Sequence, residues 1–228
     1  MTKPTPADHI RLERLRGLDC CAVSDALDSL ELPGATIGIR ALSVARRVAG
    51  RAVTLSLADA DGSSASRHLG TAAVDASGPG SVIVVAHRGR LNVAGWGGVL
   101  SAGAVAAGVE GVVVDGAVRD LDEAVDLALP LYALASVPVT ARGRVIERQW
   151  DVPVQFAGVA VSPGDYVIAD RSGVVFVPQG AIDEVLARAE AIAARERAMV
   201  RAARSGTPMI EVMTADYETM LTTGALHD

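Results

Sequence analysis

The strongest constraint on the fold is a β-α-β pattern of apolar segments in the middle of the chain. The run GSVIVVAH predicts a buried strand over 80–87, because β-branched residues dominate it and turn residues precede it. Small residues after the turn GWGG predict a helix over 98–108, and GVVVDG predicts a second buried strand over 111–116. Arg119 and Asp120 follow that strand. Ligand sites in α/β folds tend to form at such strand ends, so this pair is the first candidate for a functional site.

The remaining segments alternate without internal repeats or low-complexity linkers. Apolar spacing predicts helices over 7–17, 19–30, 121–129 and 181–203 and near 209–222. Apolar runs predict strands over 48–58 and 130–136 and in GRVIERQW, VQFAGVAV, DYVIAD and GVVFVP. A β-α-β first half and a strand-rich second half favour an α/β sandwich with mixed sheets over a doubly wound dinucleotide fold. No shift in composition divides the chain, which indicates one domain over residues 1–228.

Composition and charge narrow the classes of partner. The 228 residues include 27 acidic and 21 basic side chains, a net charge of −6, which argues against broad binding to nucleic acid or anionic membranes. No apolar run approaches the roughly 20 residues that span a bilayer. The N-terminus is charged and lacks the apolar core of a secretory signal. These features predict a soluble, cytoplasmic protein.

Cysteine and histidine form no metal or nucleophile pattern. Cys20 and Cys21 are adjacent, which would strain a disulfide, and they lack partners at zinc-ligand spacing. They are interpreted as small thiols on a partly buried helix. The four histidines are scattered and are each expected to be surface or capping residues, although His68 and His87 merit attention. GWGG does not match G-x-G-x-x-G, and no phosphate loop with Lys-Ser/Thr occurs.

The glycine turn and the Arg-Asp pair suggest a receptor for a carboxylate and a metal ion. A helix that starts near Val99, after the turn 95–98, leaves backbone N–H groups without helical partners, and its dipole favours an anion there. The guanidinium of Arg119 pairs with a carboxylate in a fixed fork. Asp120 beside it needs a balancing cation, and Mg²⁺ or Mn²⁺ can be held by one carboxylate, waters and ligand oxygens. The alternative is a surface Arg-Asp pair that ends the strand and caps the helix 121–129.

Longer motifs extend this interpretation. The sequence resembles the RraA-like family, which includes the 4-hydroxy-4-methyl-2-oxoglutarate and 4-carboxy-4-hydroxy-2-oxoadipate aldolases. The resemblance covers nearly the whole chain, and its most specific parts are GVVVDGAVRD and PGDYVIADRSGVVFVP. It implies an α/β/β sandwich with mixed sheets and extra N- and C-terminal helices. It also implies a homotrimer or a hexamer with active sites at the subunit interfaces.

The resemblance also implies roles for particular residues. The loop whose backbone N–H groups would bind the pyruvyl carboxylate consists of Gly97, Gly98, Val99 and Leu100. Arg119 would bind near the carboxylate and the 2-oxo oxygen, and Asp120 would ligate the metal ion, Mg²⁺, Mn²⁺ or another divalent ion. Glu196, on the helix predicted over 181–203 in a neighbouring subunit, would contact the water ligands of that metal.

The implied reaction is a class II pyruvate aldolase reaction. A 4-hydroxy-2-oxo acid would be cleaved to pyruvate and a second oxo acid, and oxaloacetate decarboxylation is an expected side activity. The sequence departs from the family pattern at Gly98, where the aldolases have an Asp or a Glu that is separated from the Arg-Asp pair by twenty residues. Asp115 is a poor substitute for that carboxylate if the alternation of its strand points it elsewhere.

Two other functional classes remain open. Some relatives bind and inhibit an RNA-degrading endonuclease without catalysis. They are shorter and lack the C-terminal helices, whereas this chain has a long predicted helical region over 181–222. A methyltransferase is disfavoured, because no glycine-rich nucleoside loop follows a first strand.

Overall fold

The computed structural model describes residues 5–60 and 68–213. Its helices are α1 (Pro6–Arg16), α2 (Cys20–Asp28), α3 (Thr71–Asp75), α4 (Gly98–Ala106), α5 (Leu121–Asp126), α6 (Ile182–Arg204) and α7 (Met209–Val212). Its strands are β1 (Arg40–Ala41), β2 (Val48–Asp59), β3 (Ser81–Ala86), β4 (Gly111–Val118), β5 (Leu131–Ser136), β6 (Val145–Trp150), β7 (Val154–Phe156), β8 (Val159–Val161), β9 (Tyr166–Asp170) and β10 (Gly173–Val177).

One mixed sheet organises the fold. Strands β2, β3, β4 and β5 are parallel neighbours, with a short helix between each consecutive pair. Antiparallel strands extend the sheet on both sides, because β9 and β6 pair with β2, β10 pairs with β9, and β1 pairs with β5. Ahead of β1, Ala35 forms an antiparallel bridge with Val175 in β10. The sheet is therefore nearly closed, like a barrel, and the prediction of a mixed sheet is confirmed.

Alternation along the strands creates three apolar cores. Val53, Ile83 and Val112 face outward and pack with α3, α4 and α5. The intervening residues, such as Val82 and Val113, face inward and pack around the β7–β8 hairpin. Because side chains alternate across a strand, valine-rich strands can serve both cores at once. Helices α1, α2 and α6 cover the β9–β10 side. The result is a helix layer, a curved sheet and a small inner sheet, in agreement with the expected fold class.

The structure corrects one prediction in the second half of the chain. VQFAGVAV is a β-hairpin and not a single strand, because β7 and β8 pair with Phe156 opposite Val159. Its two turn residues, Ala157 and Gly158, both have positive φ, of 46° and 89°. Two-residue hairpin turns of this kind need positive φ at both positions, and alanine does not signal that conformation.

The other predicted elements are observed with small shifts at their ends. β4 extends past the predicted 116 to Val118, and α5 ends at Asp126 instead of 129. Of the predicted helix near 209–222, the structure describes α7, which ends at Val212, and residues beyond 213 lie outside the described part of the chain. Within the described ranges, no helix is both long and apolar enough to cross a membrane.

The cysteine prediction is confirmed, and the histidine prediction is confirmed only in part. Cys20 is buried, Cys21 is exposed, and both thiols are free in α2. His9 and His68 are exposed, as expected. His87 is fully buried at the end of β3, so its assignment to the surface was wrong. The fourth histidine, at position 227, lies outside the described residues.

Candidate active site

The glycine loop runs beside the end of β4. Ala94 forms a parallel bridge with Ala117, and the Gly95 amide donates to the Ala117 carbonyl at 2.8 Å. The Arg119 amide then donates to the Trp96 carbonyl at 3.0 Å. The loop thus continues the sheet by a few residues. This pairing brings the start of α4 next to the residues that follow β4.

A buried tryptophan fixes the turn into α4. Trp96 is 2% exposed, and its indole Nε1 donates to the Ser101 hydroxyl at 3.0 Å. That hydroxyl donates in turn to the Gly97 carbonyl at 3.1 Å, and the Ser101 amide donates to the same carbonyl at 3.0 Å. A large buried ring with its polar atom satisfied anchors the loop to the core. Backbone groups of the loop are therefore held in place before any ligand binds.

Asp120 adopts an uncommon backbone conformation. Its φ and ψ are 57° and 47°, in the left-handed region, which costs a non-glycine residue on the order of 1 kcal/mol. Although it stands at the N-cap of α5, its side chain makes no capping bond to that helix. Its Oδ2 accepts instead from the Gly98 amide at 2.8 Å and from Arg119 Nε at 3.1 Å. The side-chain capping bond that would accompany the alternative, a surface pair capping α5, is therefore not observed.

The first turn of α4 offers free donors toward Arg119 and Asp120. The first amides of a helix have no acceptor within the helix. Here Gly98 N–H is used by Asp120, whereas the amides of Val99 and Leu100 have no acceptor in the described residues. The positive end of the helix dipole adds to the Arg119 charge at this place. The arrangement is suited to an anion such as a carboxylate.

These groups share one cavity of about 380 Å³. It contains every site residue predicted within residues 97–120: Gly97, Gly98, Val99, Leu100, Arg119 and Asp120. The side chains of Arg119 and Asp120 are 38% and 30% exposed, so both remain accessible to a ligand. The structure therefore brings these six residues together, and their individual roles stay predictions.

A further part of the cavity lining was not assigned to the site from the sequence, although His68 had been singled out. It carries the polar residues His68, Thr71, Thr140 and Arg142. The segment that precedes Thr140 is held against the loop, because the Ala94 amide donates to the Val139 carbonyl at 3.0 Å. No periodicity or motif marks these residues, since the chain folds them against the loop only through the sheet. Arg142 and Thr140 add polar side chains to the lining, whereas the Thr71 hydroxyl already donates to the His68 carbonyl at 2.9 Å.

Asp115 is directed away from this cavity. Its side chain is buried, and it accepts hydrogen bonds from the amides of His87, Arg88 and Ala157. Burial raises the pKa of the Asp115 carboxyl to about 6, against the lowering effect of these bonds. The carboxylate joins the end of β3 to the β7–β8 turn. It does not replace the acid that the aldolases have at the position of Gly98.

The site has few ligands of its own for a metal ion. The described residues contain no cluster of three or more His, Cys, Asp or Glu side chains that could hold a metal. Mg²⁺, however, often binds one or two carboxylates and takes its remaining ligands from water and substrate. Asp120 fits that pattern, because both of its recorded contacts are made by Oδ2 and Oδ1 has no partner in the described ranges. The donor set fits an ion completed by an oxygen-rich ligand.

Glu196 does not line this cavity. It lies in α6 and borders a different groove, of about 350 Å³, together with residues of α7. Burial, and after it the charges of Asp25 and Asp19, raise the pKa of the Glu196 carboxyl. Within one chain, Glu196 is therefore separate from Arg119 and Asp120. Its predicted role requires a second subunit and stays a prediction.

The family of the chain follows from its comparison with known proteins. The RraA-like model, described as Aldolase/RraA, matches residues 20–176. This chain belongs to the RraA-like family. The matched region includes the glycine loop and the Arg119-Asp120 pair, and it ends before α6.

This RraA-like chain covers very different shares of the length of two relatives. A candidate 4-hydroxy-4-methyl-2-oxoglutarate aldolase of Halalkalibacterium halodurans is 30% identical over 195 residues, which cover 84% of this chain and 87% of that protein. Protein DlpA of Legionella pneumophila is 28% identical over 222 residues, and the match covers 94% of this chain but only 36% of DlpA. The chain thus spans about a third of DlpA and most of the aldolase relative.

Two solved structures confirm the RraA-like fold. An uncharacterized protein of Pseudomonas syringae pv. tomato has a TM-score of 0.82 at 32% identity, and the match covers 91% of this chain and 98% of that one. A Streptomyces coelicolor protein, described as an unusual member of the RNase ES inhibitor RraA family, has a TM-score of 0.76 at 26% identity, over 86% and 97% of the two chains. The family thus includes proteins named as candidate aldolases and proteins named as ribonuclease inhibitors.

Proposed function

We propose that this RraA-like protein is a divalent-metal-dependent aldolase. It cleaves a 4-hydroxy-2-oxo acid into pyruvate and a second oxo acid, and it decarboxylates oxaloacetate as a side reaction. The observation that carries the proposal is the convergence of α4 amides, Arg119 and Asp120 in one accessible cavity. Binding of a 2-oxo acid requires a receptor for its carboxylate, and binding of a cation requires a protein carboxylate with an unused oxygen. The cavity offers both.

Different residues of the cavity bind different parts of the substrate. The amides of Val99 and Leu100 bind the carboxylate of the pyruvyl part, and Arg119 binds the carboxylate and the 2-oxo oxygen together through its planar fork. The wall with Arg142 and Thr140 faces the other end of the substrate. Binding at both ends holds the C3–C4 bond in a fixed orientation.

The reaction breaks that bond and leaves its electron pair on the pyruvyl part. The 4-hydroxyl group loses its proton and becomes the carbonyl of the second oxo acid, while the pyruvyl part becomes an enolate that takes a proton at C3. Arg119 stabilises the negative charge on the enolate oxygen, where fixed charges have their largest effect on rate. A metal ion held by Asp120 would supply Lewis acidity to the reaction.

Glu196 of a neighbouring subunit is the proposed proton acceptor. A carboxyl group with a raised pKa exchanges protons more readily near neutral pH than an ordinary glutamate does. Val99 supports an interface at the cavity, because this apolar side chain is 90% exposed in one chain although it lines the site. The assembly proposed is therefore a homotrimer or a hexamer with shared sites.

A substrate panel tests the reaction. Pyruvate release should be measured from several 4-hydroxy-2-oxo acids and from oxaloacetate, after removal of metal and after addition of Mg²⁺ or Mn²⁺. We expect turnover of at least one substrate that is lost with chelator and restored by the ion. An absence of pyruvate formation with every substrate and ion, in a folded protein, would refute the aldolase proposal.

Mixing two inactive variants tests whether the site is shared. Asp120→Asn and Glu196→Gln should each be inactive as purified homo-oligomers. If a site takes Asp120 from one subunit and Glu196 from another, co-expression of the two variants should restore part of the wild-type turnover. No recovery in mixed oligomers would place Glu196 outside the site or within the same chain.

The family also supports a second candidate, a protein-binding regulator of a ribonuclease. The likeness to the Streptomyces coelicolor protein favours it. The two functions differ in their need for metal, because a regulatory surface does not require Mg²⁺ at Asp120. A protein without metal-dependent turnover that inhibits a ribonuclease equally with and without chelator would favour the regulator.

A further inference from the structure

His87 lies directly beneath the glycine loop of the candidate active site. Its side chain is fully buried just after β3. Its Nε2 lies 2.8 Å from the carbonyl oxygen of Val93, the residue that leads into the loop. A carbonyl oxygen only accepts hydrogen bonds, so Nε2 carries the proton and donates it to Val93.

The other ring nitrogen of His87 is buried without a partner. Nδ1 makes no hydrogen bond with the described residues. A neutral ring protonated at Nε2 leaves only an acceptor lone pair there, whereas a charged ring would leave an N–H group unsatisfied. Burial lowers the pKa of His87 as well. The ring is therefore held neutral in one tautomer.

Two glycines make room for the ring. A Cβ atom at Gly95 would lie 2.9 Å from Cγ of His87, and one at Gly116 would lie closer still to its Cδ2. Gly95 belongs to the loop, and Gly116 belongs to β4. The imidazole thus occupies the space between the loop and β4, the strand that ends just before Arg119. Any side chain at either glycine would displace it.

We propose that His87 is a positioning residue for the carboxylate-binding loop. Its hydrogen bond to Val93 and its packing against Gly95 and Gly116 set the distance between the start of α4 and the end of β4. It touches no substrate and acts through the orientation of the Val99 and Leu100 amides. The carboxylate-binding role of those amides rests on the proposed function, whereas the effect of His87 on the geometry of the loop does not.

A matched pair of variants separates the hydrogen bond from the volume of the ring. Gln in His87→Gln can place an N–H group near the position of Nε2, whereas Leu in His87→Leu fills similar space without a donor. We expect the hydrogen-bonded loop amides of Ala94, Gly95 and Gly98 to exchange with deuterium roughly five- to tenfold faster in His87→Leu than in wild type, the factor for one lost hydrogen bond. We expect His87→Gln to restore most of the protection. Peptides from α6 should be unchanged in both variants and serve as the internal control.

Kinetics give a second and independent readout. Amides that bind the carboxylate equally before and during reaction affect KM more than kcat. In His87→Leu, KM should rise about five- to tenfold with kcat nearly unchanged, and His87→Gln should recover the wild-type KM. Equal exchange and equal KM in the Leu and Gln variants would overturn the positioning role. If wild type forms no pyruvate, the proposed function fails, and the exchange data still decide the role of His87.

The wild-type protein provides a test that needs no variant. Nitrogen-15 NMR of labelled histidine distinguishes the two neutral tautomers from the charged ring. We expect one buried histidine in the neutral form protonated at Nε2 at pH 7. A charged ring, or a proton on Nδ1, would contradict the inference even if His87→Leu failed to fold.

Discussion

Asp115 and Asp120, which lie in β4 and just beyond its end, have opposite surroundings. Asp115 lies within β4, is buried, and accepts three backbone N–H groups. Asp120 lies beyond the strand, is 30% exposed, and directs a single oxygen to Gly98 and Arg119. Both are aspartates near glycines in the string GVVVDGAVRD.

The difference teaches how to separate a structural acid from a functional one. Both oxygens of the Asp115 carboxylate are committed to backbone donors, so it is complete without a ligand. Asp120 retains an oxygen for a ligand and holds a left-handed backbone conformation, a form of local strain that is common at functional sites. If the interpretation is correct, substitutions at Asp120 change activity and substitutions at Asp115 change stability.

The largest effect is expected from Asp120→Asn. Asn accepts the Gly98 N–H and tolerates positive φ, but it lacks the charge that a divalent cation needs. Loss of several kcal/mol of charge stabilisation corresponds to a fall in kcat/KM of at least about 10²–10³-fold. The melting temperature should stay near that of wild type. Metal titration followed by pyruvate release checks both points.

Asp120→Ala is the matched control for stability. It also removes the acceptor for the Gly98 amide, and loss of such a cap costs about 1 kcal/mol, or roughly 2–4 °C in a chain of this size. Wild-type turnover in Asp120→Asn would make Asp120 a structural residue like Asp115, and the contrast between the two would disappear.

Arg119→Lys tests whether the geometry of the charge matters. Lys keeps the positive charge but loses the planar fork, so it cannot hold the carboxylate and the 2-oxo oxygen together. We expect kcat/KM to fall roughly 10²-fold, comparable to loss of one oriented donor to a developing oxyanion. Steady-state kinetics with the best substrate of the panel measure this. A variant with full activity would show that Arg119 contributes only its charge.

Gly98→Asp is expected to have a smaller effect in the opposite direction. Gly98 lies in the first turn of α4, and a Cβ atom there would be 3.2 Å from Cβ of Asp120. A second carboxylate would thus lie beside Asp120 at the positive end of the helix, where acids are tolerated. We expect Mg²⁺ affinity and oxaloacetate decarboxylation to rise together, by about 10–100-fold, as is typical of groups that orient metal ligands.

The uncharged variant Gly98→Asn controls for the added side chain. It introduces the same contact with Asp120 without the charge, so it should not strengthen Mg²⁺ binding. Tighter Mg²⁺ binding by Gly98→Asp without faster turnover would mean that the proton follows another route. A folded Gly98→Asp variant with neither gain would argue that the cavity accepts a different ligand and would count against the aldolase reaction.

The sequence contains enough information for most of the fold but not for its turns. Valine-rich runs such as 80–87 and 111–116 are short, apolar and rich in β-branched residues, which favours buried strands, so β3 and β4 were predicted correctly. The β7–β8 hairpin was missed because its turn places Ala157, a residue with no preference for positive φ, at 46°. A local conformation that tertiary contacts impose leaves no local signal.

The same distinction applies to the site. Arg119 and Asp120 were found because they are adjacent to each other and to a strand end, and the loop was found through its glycines. Arg142 and His68 reach the cavity only through the folded sheet, so no spacing identifies them. His87 was misjudged because its burial depends on the space left by Gly95 and Gly116. Nothing in the sequence shows that these two glycines lie against the histidine ring.

The smallest expected effect is a dependence on pH that involves stability and not activity. Burial raises the pKa of Asp115 to about 6 in the folded protein, above the 3.8 of an ordinary aspartate. Between these two values the folded state holds a proton that the unfolded state has lost. Asp115 therefore contributes stability that is fully present below about pH 4 and is lost as the pH rises through about 6. The slope is at most about 1.4 kcal/mol per pH unit.

Asp115→Asn isolates this contribution, because the variant cannot titrate at that position while the other groups titrate as before. Urea unfolding of both proteins from pH 4 to 8 gives the difference in their free energies of unfolding. The advantage of wild type over the variant should shrink between about pH 4 and 6 and become constant above about pH 7. Activity per folded molecule should be equal, since the carboxylate is directed away from the cavity. If the advantage grew with pH, the three amide donors would outweigh burial and Asp115 would be a stabilised anion. A loss of activity in folded Asp115→Asn would show that the two aspartates do not divide their tasks.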